Sequence, residues 1–236
     1  MYAINIQIAG HVICVASKYR ISPTIYEDFR SEAKADASIT INDEDIDFEH
    51  AIEYKLKKIQ IKPQNVLRKI ADLLLDFNIL LMHGAVVAVN DKAYLFTAPS
   101  GTGKTTHILK WIEHLPNAFV VNGDKPFIKF NSVDDKLPLA CGSPWAGKEN
   151  MFTNAMVPLE AIIIMERAED NHIVQITFAD AFPSLFQQTY RPEDKEKMRY
   201  TLKLLQQLHS TVKFYRFKCN NYKDDCFEVA YDALVL

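Results

Sequence analysis

The stretch Ala98-Pro99-Ser100-Gly101-Thr102-Gly103-Lys104-Thr105-Thr106 constrains this chain more than any other feature. An apolar strand, Tyr94-Leu95-Phe96, leads into it, and a helical pattern follows. It matches the phosphate-binding loop, or Walker A pattern, at every defined position except the first, where Ala98 stands for glycine. Gly101 and Gly103 allow successive backbone N–H groups to curl around an anion, and the helix that follows adds its positive end. The expected anion-binding set is therefore Pro99, Ser100, Gly101, Thr102, Gly103, Lys104, Thr105 and Thr106. Lys104 can reach the β- and γ-phosphates, and the Thr105 hydroxyl is placed for Mg²⁺.

Such a loop needs a second metal ligand, normally an Asp at the end of a neighbouring strand. Phe119-Val120-Val121-Asn122-Gly123-Asp124 supplies one, so Asp124 is a candidate to hold Mg²⁺ or to accept the proton of an acceptor hydroxyl. Asn-Gly-Asp is also ordinary turn chemistry. The chain has only seven glycines, and six lie between Gly84 and Gly147, which points to tight turns and close ligand approach in that region. His83-Gly84 opens the strand pair that leads to the loop; on spacing alone, a histidine there is more often structural. Farther on, Cys141-Gly142-Ser143-Pro144-Trp145-Ala146-Gly147-Lys148-Glu149-Asn150 makes a rigid loop, in which Lys148 either clamps a transferring group or is solvated beside a core Trp145. Arg191, before a helix, offers another guanidinium or an ordinary exposed arginine.

Around this loop the chain alternates strand and helix patterns. Gln64 to Asn78 repeats apolar residues at helical spacing, and Gly84 to Asn90 and Ala93 to Thr97 form a hairpin turned at Asn90-Asp91. Thr105 to Leu115 reads as a helix with Ile108, Leu109 and Ile112 inward. Strands follow at Phe119 to Asn122, Phe127 to Phe130, Ala161 to Met165, His172 to Ile176 and Val212 to Phe217, with helices at Glu193 to His209 and Phe227 to Ala233. The first 62 residues read as a small α/β lobe, with alternating strands, a helix started by Ser22-Pro23 and polar acidic loops over Ile39 to Asp47. Residues 63–236 form the main domain. The fold class is α/β, without internal repeats.

A formal net charge of −3 and no long basic run argue against nucleic acid or an anionic membrane as partner. No apolar stretch approaches the roughly 20 residues of a spanning helix. Cys14, Cys141, Cys219 and Cys226 show no metal-ligand spacing and no histidine cluster to supplement them, so free thiols in a reducing cytoplasm are expected.

The His83-Gly84 pair, the loop Ser100 to Thr105 and the strand ending at Asp124 together resemble the HPr kinase/phosphorylase family, including the separation of the His-Gly from the loop lysine. The resemblance covers about residues 80 to 130. It implies a P-loop kinase fold of the HPr kinase/phosphoenolpyruvate carboxykinase type, a central mixed β-sheet flanked by helices. The implied activity uses ATP and Mg²⁺ to phosphorylate a hydroxyl, with serine as the expected acceptor on a peptide or small protein. His83, Lys104, Asp124 and Lys148 would be catalytic, and Thr105 and Asp124 would hold the metal. The family usually carries two consecutive Asp where this chain has Gly123-Asp124, and the motif that supports phosphorylase activity is not evident. A related kinase, similar to those encoded beside peptide-modification genes, is therefore expected. A small-molecule kinase and a nucleotide-binding regulator without transfer activity stay open, as does assembly into a homo-oligomer.

Overall fold

The computed structural model describes residues 1–22, 24–45, 63–130 and 137–236. Strands β1 (Tyr2–Ile8) and β2 (His11–Ser17) form an antiparallel hairpin turned at Ala9-Gly10, and β3 (Ala37–Ile41) runs parallel to β2. Their inward residues, among them Ile6, Ile8, Ile13, Val15 and Ile41, pack with helix α1 (Pro63–Leu74) and with Phe127, Cys141 and Trp145 in one shared apolar core. The expected acidic loop at 39–47 is thus a strand through Ile41, followed by a short 3₁₀ turn at Asp43–Asp45. Only two of its apolar residues, Ile39 and Ile41, signalled the strand. A 3₁₀ helix at Thr24–Phe29 stands where Ser22-Pro23 signalled one; Pro23 itself, residues 46–47 and the expected boundary after residue 62 lie outside the described residues.

Nine strands form the main sheet: β4 (Ile79–Leu81), β5 (Ala85–Val89), β6 (Lys92–Thr97), β7 (Phe119–Asn122), β8 (Phe127–Lys129), β9 (Leu139–Cys141), β10 (Met156–Arg167), β11 (His172–Ile176) and β12 (Lys213–Cys219). Their order is β4-β8-β9-β10-β6-β5-β7, with β12 joined to β10 and β11 to β12. The sheet is mixed, since β10 runs parallel to β6 and β12 while the other pairings are antiparallel. β7 pairs with β5 on one side. On its other side the backbone of 151–153 lies against it, with Thr153 N–H donating to Val121 O (3.1 Å) and Gly123 N–H to Met151 O (2.9 Å).

Period-two alternation sends the strands' side chains to two cores. Phe96, Ile163 and Phe217 face helices α2 (Lys104–His114) and α5 (Cys226–Leu234). Leu95, Ile162, Ile164 and Phe214 face α3 (Phe178–Gln188) and α4 (Lys195–Thr211). Helix α3 carries a local start signal, a capping box in which Thr177 and Asp180 satisfy each other's backbone N–H, and continues through an internal Pro183. In α2 the buried face is Lys104, His107, Ile108 and Trp111, which turns Leu109 outward, 42% exposed, contrary to the inward position expected for it. Among the described residues no helix is long and apolar enough to cross a membrane.

Candidate active site

The hairpin β5–β6 brings its two open ends together. Ala85 pairs with Phe96, Asn90 and Asp91 take the positive φ values (50° and 59°) that a two-residue turn requires, and Thr97 Oγ1–H donates to His83 O at 2.8 Å. His83 therefore enters the sheet where the phosphate loop leaves it. Only glycine fits at 84, because a Cβ there would lie 2.5 Å from Leu95 Cδ1 and 2.9 Å from Phe96 O. On the other side of β5, Val86 pairs with Asn122 of β7, and Gly84 N–H donates to Asp124 O at 3.0 Å. Three neighbouring strands thus deliver His83, the loop and Asp124 to one end of the sheet.

Gly101 and Gly103 hold the loop open at φ 80° and 110°, and Gly103 caps α2. Lys104 is 7% exposed, and its Nζ donates to the carbonyls of Ala98 (3.0 Å) and Pro99 (3.3 Å). Burial pushes its pKa below the ordinary lysine value, against the opposing pull of Asp124. Among the described residues no carboxylate forms an ion pair with Lys104, so the buried cation is hydrogen-bonded only to carbonyl oxygens and feels Asp124 without direct contact, a condition that suits receipt of an anion.

Asn122 sets the turn that presents Asp124. Its Oδ1 accepts from the backbone N–H of Asp124 (2.9 Å) and Lys125 (2.7 Å), and its Nδ2 donates to Ser143 O at 2.9 Å. Asp124 Oδ1 lies 3.3 Å from His83 Nε2, and its Oδ2 3.4 Å from Lys125 Nζ. Burial raises the carboxyl's pKa, but the His83 hydrogen bond and the Lys125 charge outweigh it and hold Asp124 below the usual carboxylate value. On the far side of the ring, His83 Nδ1–H donates to Gln188 Oε1 at 2.6 Å, and His83 N–H to Gln188 O at 2.7 Å.

A cavity of about 450 Å³ joins these groups; His83, Ser100, Gly101, Gly103, Lys104, Thr105, Thr106, Gly123, Asp124, Gly147, Lys148 and Glu149 line it. Pro99 and Thr102 belong to the loop without lining that cavity, and Thr102 Oγ1–H donates back to Pro99 O at 2.9 Å. Lys148 is exposed at the rim, while Trp145 is buried and donates Nε1–H to Pro63 O at 2.9 Å, a packing role. A second cavity of about 460 Å³ shares His83 and reaches Arg68, Lys125, Gln188, Tyr190 and Arg191. The Arg191 guanidinium lies 5.7 Å over the Phe186 ring.

Several contributors were not singled out in the sequence. Gln188 and Lys125 flank the His83–Asp124 pair, the Arg167 guanidinium donates to Gly101 O, and Asn221 Nδ2 donates to Gly103 O at 3.0 Å. Only Lys125 had a local signal, its place beside Asp124. The four cysteines are free thiols, and one grouping was not visible in the sequence: the ligand atoms of His107, Cys219 and Cys226 all lie within 4.8 Å of one another. Helix and strand spacing kept that grouping invisible, since 112 residues separate His107 from Cys219.

No protein-family model and no curated protein matches the chain. Among solved structures it is similar to the Hpr(Ser) kinase/phosphatase from Coxiella burnetii, at 9% sequence identity and a TM-score of 0.39, over 65% of this chain and 89% of that one. The functional reading accordingly rests on the site's own residues.

Proposed function

We propose that the chain is an ATP- and Mg²⁺-dependent P-loop kinase of the HPr kinase type that phosphorylates a serine hydroxyl of a peptide or small protein. The observation that carries this reading is the His83–Asp124 pair facing Lys104 across the same cavity as the phosphate loop. The donor set suits the cofactor: Lys104 is a buried cation that forms no ion pair with a carboxylate among the described residues, the loop amides follow two glycines at positive φ, and Thr105 and Asp124 offer hydroxyl and carboxylate oxygens to a divalent ion. Bound Mg²⁺-ATP would supply the γ-phosphoryl group and neutralise its charge.

The chain's part is positioning and charge stabilisation, which dominate phosphoryl transfer. Lys104 holds the phosphate oxygens and stabilises charge on the moving group. Asp124 Oδ1, oriented by His83 and by the Asn122 turn, accepts the proton of the acceptor hydroxyl. Its lowered pKa makes it a weak base, which suits a loose transition state in which the nucleophile is only partly deprotonated. The second cavity beside His83 is the acceptor's approach, and Lys148 at the rim screens the transferred charge. The test is transfer of label from γ-labelled ATP with Mg²⁺ into serine-containing peptides, read by mass spectrometry; Mg²⁺-dependent nucleotide binding without transfer to any acceptor would indicate a regulator instead.

A further inference from the structure

Behind the phosphate loop, on the α2–α5 side of the sheet, Cys219 Sγ and Cys226 Sγ stand 3.2 Å apart in the core. Cys219 ends β12 and Cys226 begins α5, so a six-residue connection closes on itself through the two sulfurs. His107 Nδ1 lies 3.4 Å from Cys226 Sγ, and Trp111 Nε1–H donates to His107 Nε2 at 3.1 Å. That second bond assigns the ring's tautomer: Nε2 accepts, so the neutral ring carries its proton on Nδ1 and donates toward sulfur. A metal on Nδ1 would force the proton onto Nε2, directly against the Trp111 N–H. The cluster therefore suits thiol chemistry better than metal ligation.

The cluster also touches the loop. Asn221 Oδ1 lies 3.2 Å from Cys219 Sγ and 3.3 Å from Cys226 Sγ, so it accepts the one S–H that the pair does not share between its sulfurs, while Asn221 Nδ2 donates to Gly103 O at 3.0 Å. Contact is tight, since a Cβ on Gly103 would lie 2.5 Å from that nitrogen. Cys219 in turn lines a cavity of about 410 Å³ together with Gly101, Gly103 and Thr106, so an oxidant in that cavity stands next to one member of the pair.

We propose that Cys219 and Cys226 form a reversible disulfide on exposure to hydrogen peroxide, and that the disulfide loosens the phosphate loop through Asn221. The thiolate of the pair attacks one peroxide oxygen, the O–O bond breaks, hydroxide leaves and a sulfenic acid forms. The second thiol then attacks the sulfenic sulfur; the S–S bond forms, the S–O bond breaks, and the thiol proton leaves with the oxygen as water. Sulfur is oxidised and peroxide reduced, two electrons each. Cys226 is the member of the pair that ionises more readily, because the Cys219 S–H bond lowers its pKa, with burial opposing and His107 assisting. Closing the bond draws the sulfurs from 3.2 Å to about 2.05 Å and removes the S–H donor from Asn221 Oδ1.

Cleavage at Lys218 and Lys223 places the two cysteines on separate tryptic peptides, 219–223 and 224–236, with Cys14 and Cys141 as internal controls. The reduced full chain, treated with peroxide and alkylated, should yield these peptides joined, and dithiothreitol should separate them. Hydrogen exchange of the Gly103–His107 amides should then run about tenfold faster in the oxidised protein, the factor set by losing roughly one hydrogen bond. Cys219→Ser and Cys226→Ala should each abolish both effects, and Asn221→Ala should keep the link while making the reduced loop exchange as fast as the oxidised one. Peroxide that oxidises Cys14 while leaving Cys219 and Cys226 alkylatable overturns the proposal; so does a linked pair with unchanged loop exchange, or a chain isolated with one zinc ion held by the pair. None of these readouts needs nucleotide, so they stand apart from the kinase reading.

Discussion

His83 and Asp124 face each other at 3.3 Å between Nε2 and Oδ1, and the opposite ring nitrogen of His83 is held by Gln188 at 2.6 Å. Both ring nitrogens thus meet oxygen acceptors, an arrangement that fixes the imidazole edge-on to the carboxylate. His83→Ala is expected to lower phosphoryl transfer by about 10²-fold, the scale of one positioned acid–base partner, with nucleotide affinity within about twofold. Gln188→Leu should cost about tenfold by releasing the ring without removing it. Transfer rate, nucleotide affinity and melting temperature measured on one preparation decide this; a rate that falls only as far as the protein unfolds would make His83 structural.

Asp124→Asn should suppress transfer by about 10²–10³-fold and weaken Mg²⁺-dependent nucleotide binding together, because the proposed function gives one carboxylate both tasks. Its folded pKa lies below the unfolded carboxylate value, so its contribution to stability is full above the unfolded value near 3.8 and is lost as pH falls through the folded one. The melting-temperature gap between wild type and Asp124→Asn should accordingly be constant near neutrality and shrink below about pH 4. A gap that widens on acidification would contradict the direction of the shift.

Lys104→Met separates function from stability in opposite directions. Burial disfavours the charged lysine in the folded chain, so removing the charge should raise the melting temperature of the nucleotide-free protein. The same change should cost about 10²–10³-fold in transfer. Thermal denaturation and turnover on the same variant check both arms; near-normal turnover would remove Lys104 from the site.

Gly123→Asp would recreate the paired acids of the resembled family, and it is expected to fail. A Cβ at 123 would lie 3.2 Å from Ala146 O and 3.4 Å from Met151 O, which leaves a carboxylate crowded against two carbonyl oxygens. Crowding rather than a left-handed backbone is what favours glycine here, since Gly123 is not among the positive-φ glycines. Calorimetry should show a lower melting temperature with no gain in transfer; a faster, equally stable enzyme would show that the turn relaxes to admit the second acid.

The loop, its flanking strand and helix, and the β5–β6 hairpin were legible because each is local: a glycine spacing, a two-residue turn, a run of alternating apolar residues. Helix α3 was not, since the internal Pro183 reads as a helix breaker, although Phe178, Phe182 and Phe186 repeat at helical spacing and Thr177 and Asp180 carried its start. Gln188 reaches His83 across 105 residues, and Cys226 reaches His107 across 119, distances at which no spacing rule operates. Leu109 shows the same limit on a smaller scale, because the burial of Lys104 and His107, both polar, turned the face of α2 away from the purely apolar reading.

The backbone of 151–153 lying along β7 has a consequence for association. A sheet margin with bare N–H and C=O groups is a template on which another chain's strand can add. At β7 that margin is occupied, with Val121 O already accepting from Thr153 and Gly123 N–H already donating to Met151. The strand that delivers Asp124 is therefore closed to strand addition, and two copies of this chain cannot continue their sheets through it without first stripping away the segment that steadies the acid. Self-association by that route and an intact site exclude each other.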